Sequence, residues 1–210
     1  TRVLYIRRSF DVMRDASRAS LWLVDLKPDE HKPLLEEYGS YGCLTCNHKG
    51  TKVAYTTANR RRHQIRMLDL EYGRSALIVD LPTAPGWLAF SPDDETLAFT
   101  RSVVAETEAP LYKAPKRPKG AKWAASARVI ESVRYQFDGR GIVAPSYAHV
   151  FVVPAEGGTS TQLTVGDFQN NGPLIWQPDG HDLIFSSNRD PNWALQTLSL
   201  IHISEPTRRS

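Results

Sequence analysis

The first candidate for chemistry in this sequence is Ser40. The stretch Tyr38-Gly39-Ser40-Tyr41-Gly42 departs at one position from G-x-S-x-G, the sequence around the nucleophile of α/β-hydrolases. That motif needs a glycine two residues before the serine because the chain turns sharply from a strand into a helix, which helps to hold the oxyanion. Tyr38 stands at the position of this glycine, and no helical pattern follows Gly42. We therefore predict that Ser40 is a connector residue and not a nucleophile.

The two cysteines, Cys43 and Cys46, form a single C-x-x-C pair that could bind a metal or do redox chemistry. A structural zinc site needs four ligands, and although His48 and His63 are near, the sequence has no second paired set. A redox pair would need a βαβ context, which this region lacks. We predict that the cysteines are two small apolar residues entering a strand and that the chain binds neither a metal nor a cofactor.

Three carboxylates, Asp93, Asp94 and Asp179, could supply general acid–base catalysis if they converged on a pocket. They occur in a turn that repeats along the chain, where aspartate bonds to its own backbone and tolerates the turn geometry. Because the position recurs in each repeat, we expect these aspartates to shape the turn. We therefore expect the chain to contain no catalytic, cofactor-binding or metal-binding residue.

The composition, with 41% apolar and 23% charged residues in 210, is typical of a soluble globular protein. No run approaches the roughly 18 apolar residues of a membrane span, so we expect none. Thr1 is not a start methionine, which indicates a chain that begins inside a longer one. The sequence is compatible with the cytoplasm and with the periplasm.

Basic residues cluster twice, in the segment 109–122 and in Arg60, Arg61, Arg62 and His63. Neither cluster has regularly spaced stacking aromatics or a helix that could read bases, and the formal net charge is only +3. We predict that both are solvated loops and that the chain has no nucleic-acid partner.

A hairpin pattern repeats three times, in segments that begin at Cys46, Phe90 and Trp176. Each segment has a bulky or apolar residue, a four-residue polar turn, two polar residues and a strand with an apolar-x-aromatic pattern. The apolar and aromatic positions are Val53 and Tyr55, Leu97 and Phe99, and Leu183 and Phe185. The sequence predicts a β-hairpin at each place.

A further set of strands, at 21–26, 65–70 and 150–155, precedes the next hairpin at nearly constant spacing. The separations are 23 residues from Leu23 to Cys46, 23 from Met67 to Phe90, and 24 from Val152 to Trp176. The first two hairpins begin 44 residues apart, which falls within the period of about 40 to 45 residues of a four-stranded propeller blade. We predict an all-β fold, a partial β-propeller of about three to four four-stranded blades.

One blade departs from this period because it contains an insertion. Cys46 and Met67 are 21 residues apart, whereas Phe90 and Val152 are 62 apart, which leaves 41 extra residues at about 104–146. The proline-rich first part of the insertion predicts an irregular excursion, and the part that begins KWAASARVIESV predicts one or two helical turns.

The residues of this insertion and of the strand after it resemble, in their order along the sequence, those of a known family. They are Gly120 to Ala124, Val129-Ile130, Tyr135, Asp138-Gly139-x-Gly141, Tyr147-x-His149-x-Phe151 through Pro154, Gly157-Gly158 and Gln162-Leu163-Thr164. They are similar to the propeller of bacterial prolyl oligopeptidase family serine peptidases, of the acylaminoacyl-peptidase or dipeptidyl-aminopeptidase type. The opening YIRRSFDVMRDASRASLWLVD resembles the first blades of that family, so the resemblance covers residues 1–197. Two departures are Cys46, where an aromatic is usual, and Asn47 to Gly50 in place of Ser-Pro-Asp-Gly.

The resemblance implies a two-domain enzyme in which the propeller precedes an α/β-hydrolase domain that carries the catalytic residues. We would then expect this chain to be a non-catalytic propeller that gates the access of short peptides to a hydrolase domain not contained in it. Its partners would be that domain and peptide substrates. The alternative is a free-standing periplasmic interaction propeller, like those associated with translocation, which share these hairpins.

Residues 198–210 stand apart from this pattern. LSLIHISEPTR, at 198–208, resembles the translation of a sequencing adapter. We predict a partial propeller at 1–197, followed by a tail at 198–210 that is not native to the protein.

Overall fold

The computed structural model describes residues 2–27, 30–59, 62–105, 115–124, 130, 133, 135–139, 141–190, 192–195 and 200–204. Antiparallel strands account for most of this described part. They are β1 (Arg2–Asp11), β2 (Ala16–Asp25), β3 (Glu30–Cys46), β4 (Lys52–Asn59), β5 (Arg62–Asp69), β6 (Ser75–Leu81), β7 (Pro85–Phe90), β8 (Thr96–Val104), β9 (Gln136–Phe137), β10 (Gly141–Ile142), β11 (Ser146–Pro154), β12 (Thr161–Gln162), β13 (Gln169–Trp176), β14 (Leu183–Asn188) and β15 (Leu200–Ser204). One turn of 3-10 helix follows β14 at Trp193–Leu195.

The strands form consecutive blades, which confirms the all-β, partial-propeller fold. In the described residues, blade 1 contains β1, β2 and the first part of β3, and blade 2 contains the second part of β3 with β4, β5 and β6. Blade 3 contains β7, β8, β11 and β12, and blade 4 contains β13, β14 and β15. The long β3 thus closes one blade and opens the next: its pairing passes from β2 at Gly39 to β4 at Ser40.

The three predicted hairpins are β3–β4, β7–β8 and β13–β14. The six apolar positions predicted for their second strands are all buried, between 0% and 3% exposed. They lie at the interfaces between blades, where burial of a large apolar side chain contributes about 1.5–3 kcal/mol. The apolar pattern of these strands therefore correctly predicted both the hairpins and the buried residues of their second strands.

Each hairpin turn reaches a backbone conformation with positive φ at the same position. The residues are Gly50 (φ 67), Asp94 (φ 65) and Gly180 (φ 74). Glycine adopts this conformation without a steric cost, and aspartate is among the few other residues that tolerate it. Asn47 replaces the usual turn serine by accepting hydrogen bonds from the N–H groups of Thr51 and Lys52, at 2.9 and 2.8 Å.

The first strand of each hairpin has a β-bulge at an equivalent position. The sequence did not predict these bulges. The pairing shifts at 42–44, 86–89 and 171–175, and a G-x-L triplet lies at each shift. Cys43 (φ 35) and Trp87 (φ 48) are the middle residues of the first two triplets. A bulge increases local twist, which suits strands that converge at the centre of a propeller.

In the part of the chain that the structure describes, the core consists of three apolar clusters, one at each junction between neighbouring blades. The cluster of blades 1 and 2 includes Leu21, Val53 and Tyr55. At the next junction Phe99 stacks on Phe151 with ring centroids 5.5 Å apart. Leu183 and Phe185 of blade 4 pack against Val150 of blade 3. Each blade is therefore stabilised mainly by its neighbours, as in other repeat proteins.

The insertion lies between the second and third strands of blade 3, as predicted, since β8 ends at Val104 and β11 begins at Ser146. It includes the short hairpin of β9 and β10. Residues 115–124 are irregular, with one turn at 119–120. Most of the predicted helical segment, including 125–129, lies outside the described residues.

Candidate functional site

Ser40 lies in β3 opposite Ala58 of β4, and its side chain is exposed. The residues that follow continue the strand to Cys46, and no helix begins there. The local geometry is that of a hairpin strand. Gly42 belongs to the repeated bulge, where a Cβ atom would lie 3.1 Å from the Thr56 hydroxyl oxygen. This glycine therefore serves the close approach of two strands.

Cys43 and Cys46 lie at the end of β3, whereas the sequence placed them at the start of a strand. Both are free thiols and both are exposed. Within the described part of the chain, no group of three or more His, Cys, Asp or Glu side chains is placed to hold a metal ion. That the chain lacks catalytic and ligand-binding residues of these kinds stays a prediction.

The carboxylates of the repeated turn have two different partners. Asp93 and Asp179 bond within their own turns, to the N–H groups of Glu95 at 3.0 Å and His181 at 2.9 Å. Asp94 instead bonds to the turn of blade 2. This differs from the expectation that all three bond to their own backbone, because the positive φ of Asp94 directs its side chain toward the neighbouring blade.

Asp94 forms a clasp between blades 2 and 3. It accepts hydrogen bonds from the N–H groups of His48 (2.7 Å) and Lys49 (3.3 Å), and from the Asn47 side-chain amide (3.1 Å). The Nδ1 atom of His48 lies 2.9 Å from the same carboxylate. Burial alone would raise the pKa of Asp94, but the hydrogen bonds from His48 and Lys49 outweigh it and lower the pKa. The side chain is thus a half-buried, negatively charged link between two turns.

His149 occupies the opposite end of blade 3, at the junction with blade 4, and is 4% exposed. Its Nδ1 atom lies 3.2 Å from the Thr164 hydroxyl and 3.3 Å from the Asn170 side-chain nitrogen. Because that amide nitrogen can only donate, Nδ1 must accept. Burial lowers the pKa of His149, Asp167 raises it, and Arg101 lowers it further. A neutral ring held in this way joins β11 to Thr164 and to Asn170 of β13.

Arg101 pairs with His149 across β8 and β11. Its guanidinium carbon lies 4.4 Å from the centroid of the Phe151 ring, within the range of a cation–π contact. Burial lowers the pKa of Arg101, and among the described residues its Nε atom has no hydrogen-bond partner. The cation is therefore stabilised by an aromatic face in place of a carboxylate.

A cavity of about 400 Å³ opens beside this cluster, and we name it the junction pocket. Its walls come from the insertion, from the ends of β8 and β11, from β13 and from the 3-10 turn. The residues are Ser102, Phe137, Val143, Ala144, Pro145, Ser146, Tyr147, Gln169, Asn171, Trp193 and Ala194. Tyr147 and Trp193 meet edge to face, with ring centroids 6.0 Å apart. None of these described lining side chains carries a charge at neutral pH.

The cavity at the junction of blades 2 and 3, of about 460 Å³, has a different character. Its lining includes Lys49, Lys52, Asp93, Glu95 and Glu156. Lys52 and Glu156 form an ion pair at 2.9 Å across it. A cavity crossed by an ion pair at its mouth is a solvated cleft between blades, in contrast to the aromatic junction pocket.

The two basic clusters are partly described: 115–122 of the first is irregular, but Arg62 and His63 of the second begin β5 and are not part of a loop as predicted, because they pair with β4. Arg62 forms an ion pair with Asp80 at 3.0 Å, and Arg60 and Arg61 lie outside the described residues. Arg117 donates to the carbonyl of Ala121 within the insertion. Among the described residues, no helix has the length and apolar character that crossing a membrane requires.

Sequence reasoning missed the residues that form the junction pocket. Gln169, Asn170 and Asn171 follow one another at the start of β13. At the equivalent positions, counted back from Phe90, blade 3 has Thr83, Ala84 and Pro85. A run of three amides at a repeat position where other blades lack it was a readable signal, because departures from a repeat indicate sites with their own contacts.

Known proteins similar to this chain are peptidases and other propellers. No protein-family model matches it. The uncharacterized peptidase YuxL of Bacillus subtilis strain 168 is 22% identical over 189 residues, which is 90% of this chain and 28% of YuxL. The acylaminoacyl peptidase of Pyrococcus horikoshii matches with a TM-score of 0.63 and 15% identity over 90% of this chain and 27% of its own. TolB of Acinetobacter baumannii matches with a TM-score of 0.60 and 17% identity over 100% of this chain and 40% of its own.

The chain spans less than a third of the peptidases that it matches. At these identities the structural matches establish the fold, and the name of the curated relative YuxL is that of an uncharacterized peptidase. The chain therefore has the β-propeller fold, and its neighbours are the propellers of acylaminoacyl peptidase, tricorn protease and prolyl endopeptidase, which confirms the resemblance to this group of peptidases.

Proposed function

We propose that the chain is part of the non-catalytic propeller of a serine peptidase of the prolyl oligopeptidase family. The propeller would gate the access of short peptides to an α/β-hydrolase domain outside these 210 residues. The observation that carries the proposal is the match of about nine-tenths of the chain to peptidases of which it covers little more than a quarter. The remainder of such proteins has the length to contain a catalytic domain.

Gating by a propeller is a matter of size and of shielding. Blades that pack through continuous apolar junctions form a rigid wall, and an opening in such a wall admits an extended peptide more readily than a folded domain. A covered site also protects the reacting groups from bulk water and from folded proteins. The interblade clusters around Phe99 and Phe185 are the source of this rigidity in the present chain.

The experiment begins with the gene on both sides of the sequence and continues with the full-length protein. We expect a G-x-S-x-G motif downstream of the last blade. One cleavable sequence would then be offered as a short peptide, as a long unfolded chain and as a loop of a folded protein. A gate predicts kcat/KM values that fall steeply in that order. Equal values for the short peptide and the folded protein would contradict gating.

A second candidate function is that of a free-standing periplasmic interaction propeller. The match to TolB favours it, because this chain covers 40% of TolB but only 27% of the acylaminoacyl peptidase. A secretion signal upstream and a stop codon after the last blade would decide for this alternative. In that case the purified protein would have no peptidase activity at any substrate length.

We also propose the domain boundaries read from the sequence: a partial propeller at 1–197 and a non-native tail at 198–210. Residues 200–204 of the tail form β15, which pairs with β14. If the tail is foreign to the protein, its deletion should change the free energy of unfolding by less than about 1 kcal/mol, the size of an ordinary structural contribution. A larger loss in denaturant unfolding would mean that β15 stabilises blade 4 and that the tail is native to the protein.

A further inference from the structure

The three amides at the start of β13 differ in what they bond. Gln169 accepts from the N–H of Ala148 at 2.9 Å and donates to the carbonyl of Ser146 at 2.9 Å. Asn170 is 1% exposed and donates to the carbonyl of Ala148 at 3.0 Å. These two side chains fix β13 to β11 in the way that a strand pair would. They hold the wall of the junction pocket in place.

The third amide, Asn171, lines the junction pocket and is exposed. Its backbone carbonyl accepts from Ser186, but among the described residues its side-chain amide has no hydrogen-bond partner. A side-chain amide offers two donor hydrogens and an acceptor, the same groups as a peptide unit. Asn171 can therefore pair with the backbone of an extended peptide.

The aromatic wall of the junction pocket is built from three separate parts of the chain. Tyr147 begins β11, Trp193 lies in the 3-10 turn after β14, and Phe137 comes from the insertion and is 48% exposed. Burial, with a contribution from Asp167, raises the pKa of Tyr147, so its hydroxyl stays protonated at neutral pH. Rings with one polar tip favour an aromatic or large apolar side chain.

The size and neutrality of the junction pocket limit its ligand. Its volume of about 400 Å³ falls in the range of roughly 300–1,000 Å³ typical of small-ligand sites. A charged side chain placed there would lose water and gain no ion pair with the described lining residues, which is costly. The pocket therefore selects against charged ligands.

We infer that the junction pocket is a peptide-binding subsite that takes an uncharged aromatic or large apolar side chain against the paired rings of Tyr147 and Trp193, with the Asn171 amide bonded to the peptide backbone. The choice of a peptide over other neutral ligands rests on the proposed function. The pocket itself rests on the contacts within this chain.

The test is calorimetric titration of the 210-residue chain with three blocked peptides: N-acetyl-Gly-Gly-Phe-amide, N-acetyl-Gly-Gly-Glu-amide and N-acetyl-Gly-Gly-Gly-amide. We expect the phenylalanine peptide to bind at least fivefold more tightly than the other two. Trp193→Ala and Asn171→Leu should each weaken its binding at least fivefold, and Trp193→Phe should restore most of the loss. Trp123→Ala is the control, because Trp123 is an exposed tryptophan of the insertion that is not among the described residues lining the pocket.

Three outcomes would overturn the inference. The first is equal binding of the three peptides or no binding of any. The second is loss of binding in Trp123→Ala as large as in Trp193→Ala. The third is tighter binding of a neutral trisaccharide such as maltotriose, lost in the same pocket variants, which would assign the pocket to carbohydrate. None of these bears on the size dependence of hydrolysis, which tests the gate separately, so the two proposals can fail independently.

Discussion

At the scale of single residues, Asp94 shows how one substitution in a repeat changes its role. The equivalent turn residues in blades 2 and 4 are Gly50 and Gly180, which meet the same backbone requirement without a side chain. Aspartate meets it as well and adds a carboxylate that reaches the turn of blade 2. The sequence revealed the turn. It could not reveal that the side chain contacts the turn of blade 2, because this contact depends on the distance between the two blades.

We expect Asp94→Ala to lower the free energy of unfolding by about 2–3 kcal/mol, because hydrogen bonds to a charged group are lost and alanine is strained at positive φ. Asp94→Gly should cost about 1 kcal/mol less than Asp94→Ala, since it removes the same hydrogen bonds but glycine is not strained at positive φ. Asp179→Ala is the matched control: it loses a bond within one turn and should cost no more than about 1 kcal/mol. Urea unfolding measures all three. Equal losses for Asp94→Ala and Asp179→Ala would show that the clasp between blades contributes nothing.

The clasp should also give stability a dependence on acid. The pKa of Asp94 is lowered in the folded chain, so its contribution is fully present above the pKa of the unfolded chain, about 4. It is lost as the pH falls from there through the lower folded pKa. The difference in unfolding free energy between the native chain and Asp94→Asn should thus be constant from pH 5 to 6 and shrink below about pH 4. A difference that grew on acidification would contradict the assigned direction.

At the scale of elements, the sequence predicted the repeated hairpins and strands but not the bulges or the strand that connects two blades. The hairpins at Cys46, Phe90 and Trp176 and the strands after them follow from alternating apolar residues and polar turns, which are local signals. The bulges at Gly42, Gly86 and Gly172 are also local, but a single G-x-L triplet is too common to notice before the structure aligns it. The division of β3 between two blades depends on pairing partners distant in sequence, which no local pattern contains.

The bulge of blade 4 packs directly against that of blade 3, and this contact is testable. A Cβ atom on Gly172 would lie 2.4 Å from the Trp87 ring, far inside van der Waals contact. Gly172→Ala should therefore cost about 1–3 kcal/mol of unfolding free energy, the usual range for overpacking. In the Trp87→Ala background the same change should cost less than half as much. Additive losses in the double variant would mean that the two bulges do not touch in solution.

At the scale of the whole molecule, the chain is a series of blades whose chemistry lies between them. The junction of blades 2 and 3 carries charges and a carboxylate clasp at one end, and the junction of blades 3 and 4 carries amides and aromatic rings at the other. The insertion contributes Phe137 to the second junction. The sequence located this insertion from a break in the period, but it could not show that the excursion returns to cover a pocket.

The last prediction concerns activity, and it separates a structural Ser40 from a catalytic one. The chain should not hydrolyse chromogenic peptide or ester substrates, because an activated nucleophile needs a base within hydrogen-bonding reach. Ser40 lies in a paired strand, and its residue opposite in β4 is Ala58, which cannot act as a base. The neutral His149 belongs to blade 3, where Thr164 and Asn170 occupy its Nδ1 atom. Turnover that disappears in Ser40→Ala but survives in Ser9→Ala, a change of an exposed serine on β1, would refute this prediction and assign the hydrolase chemistry to the propeller itself.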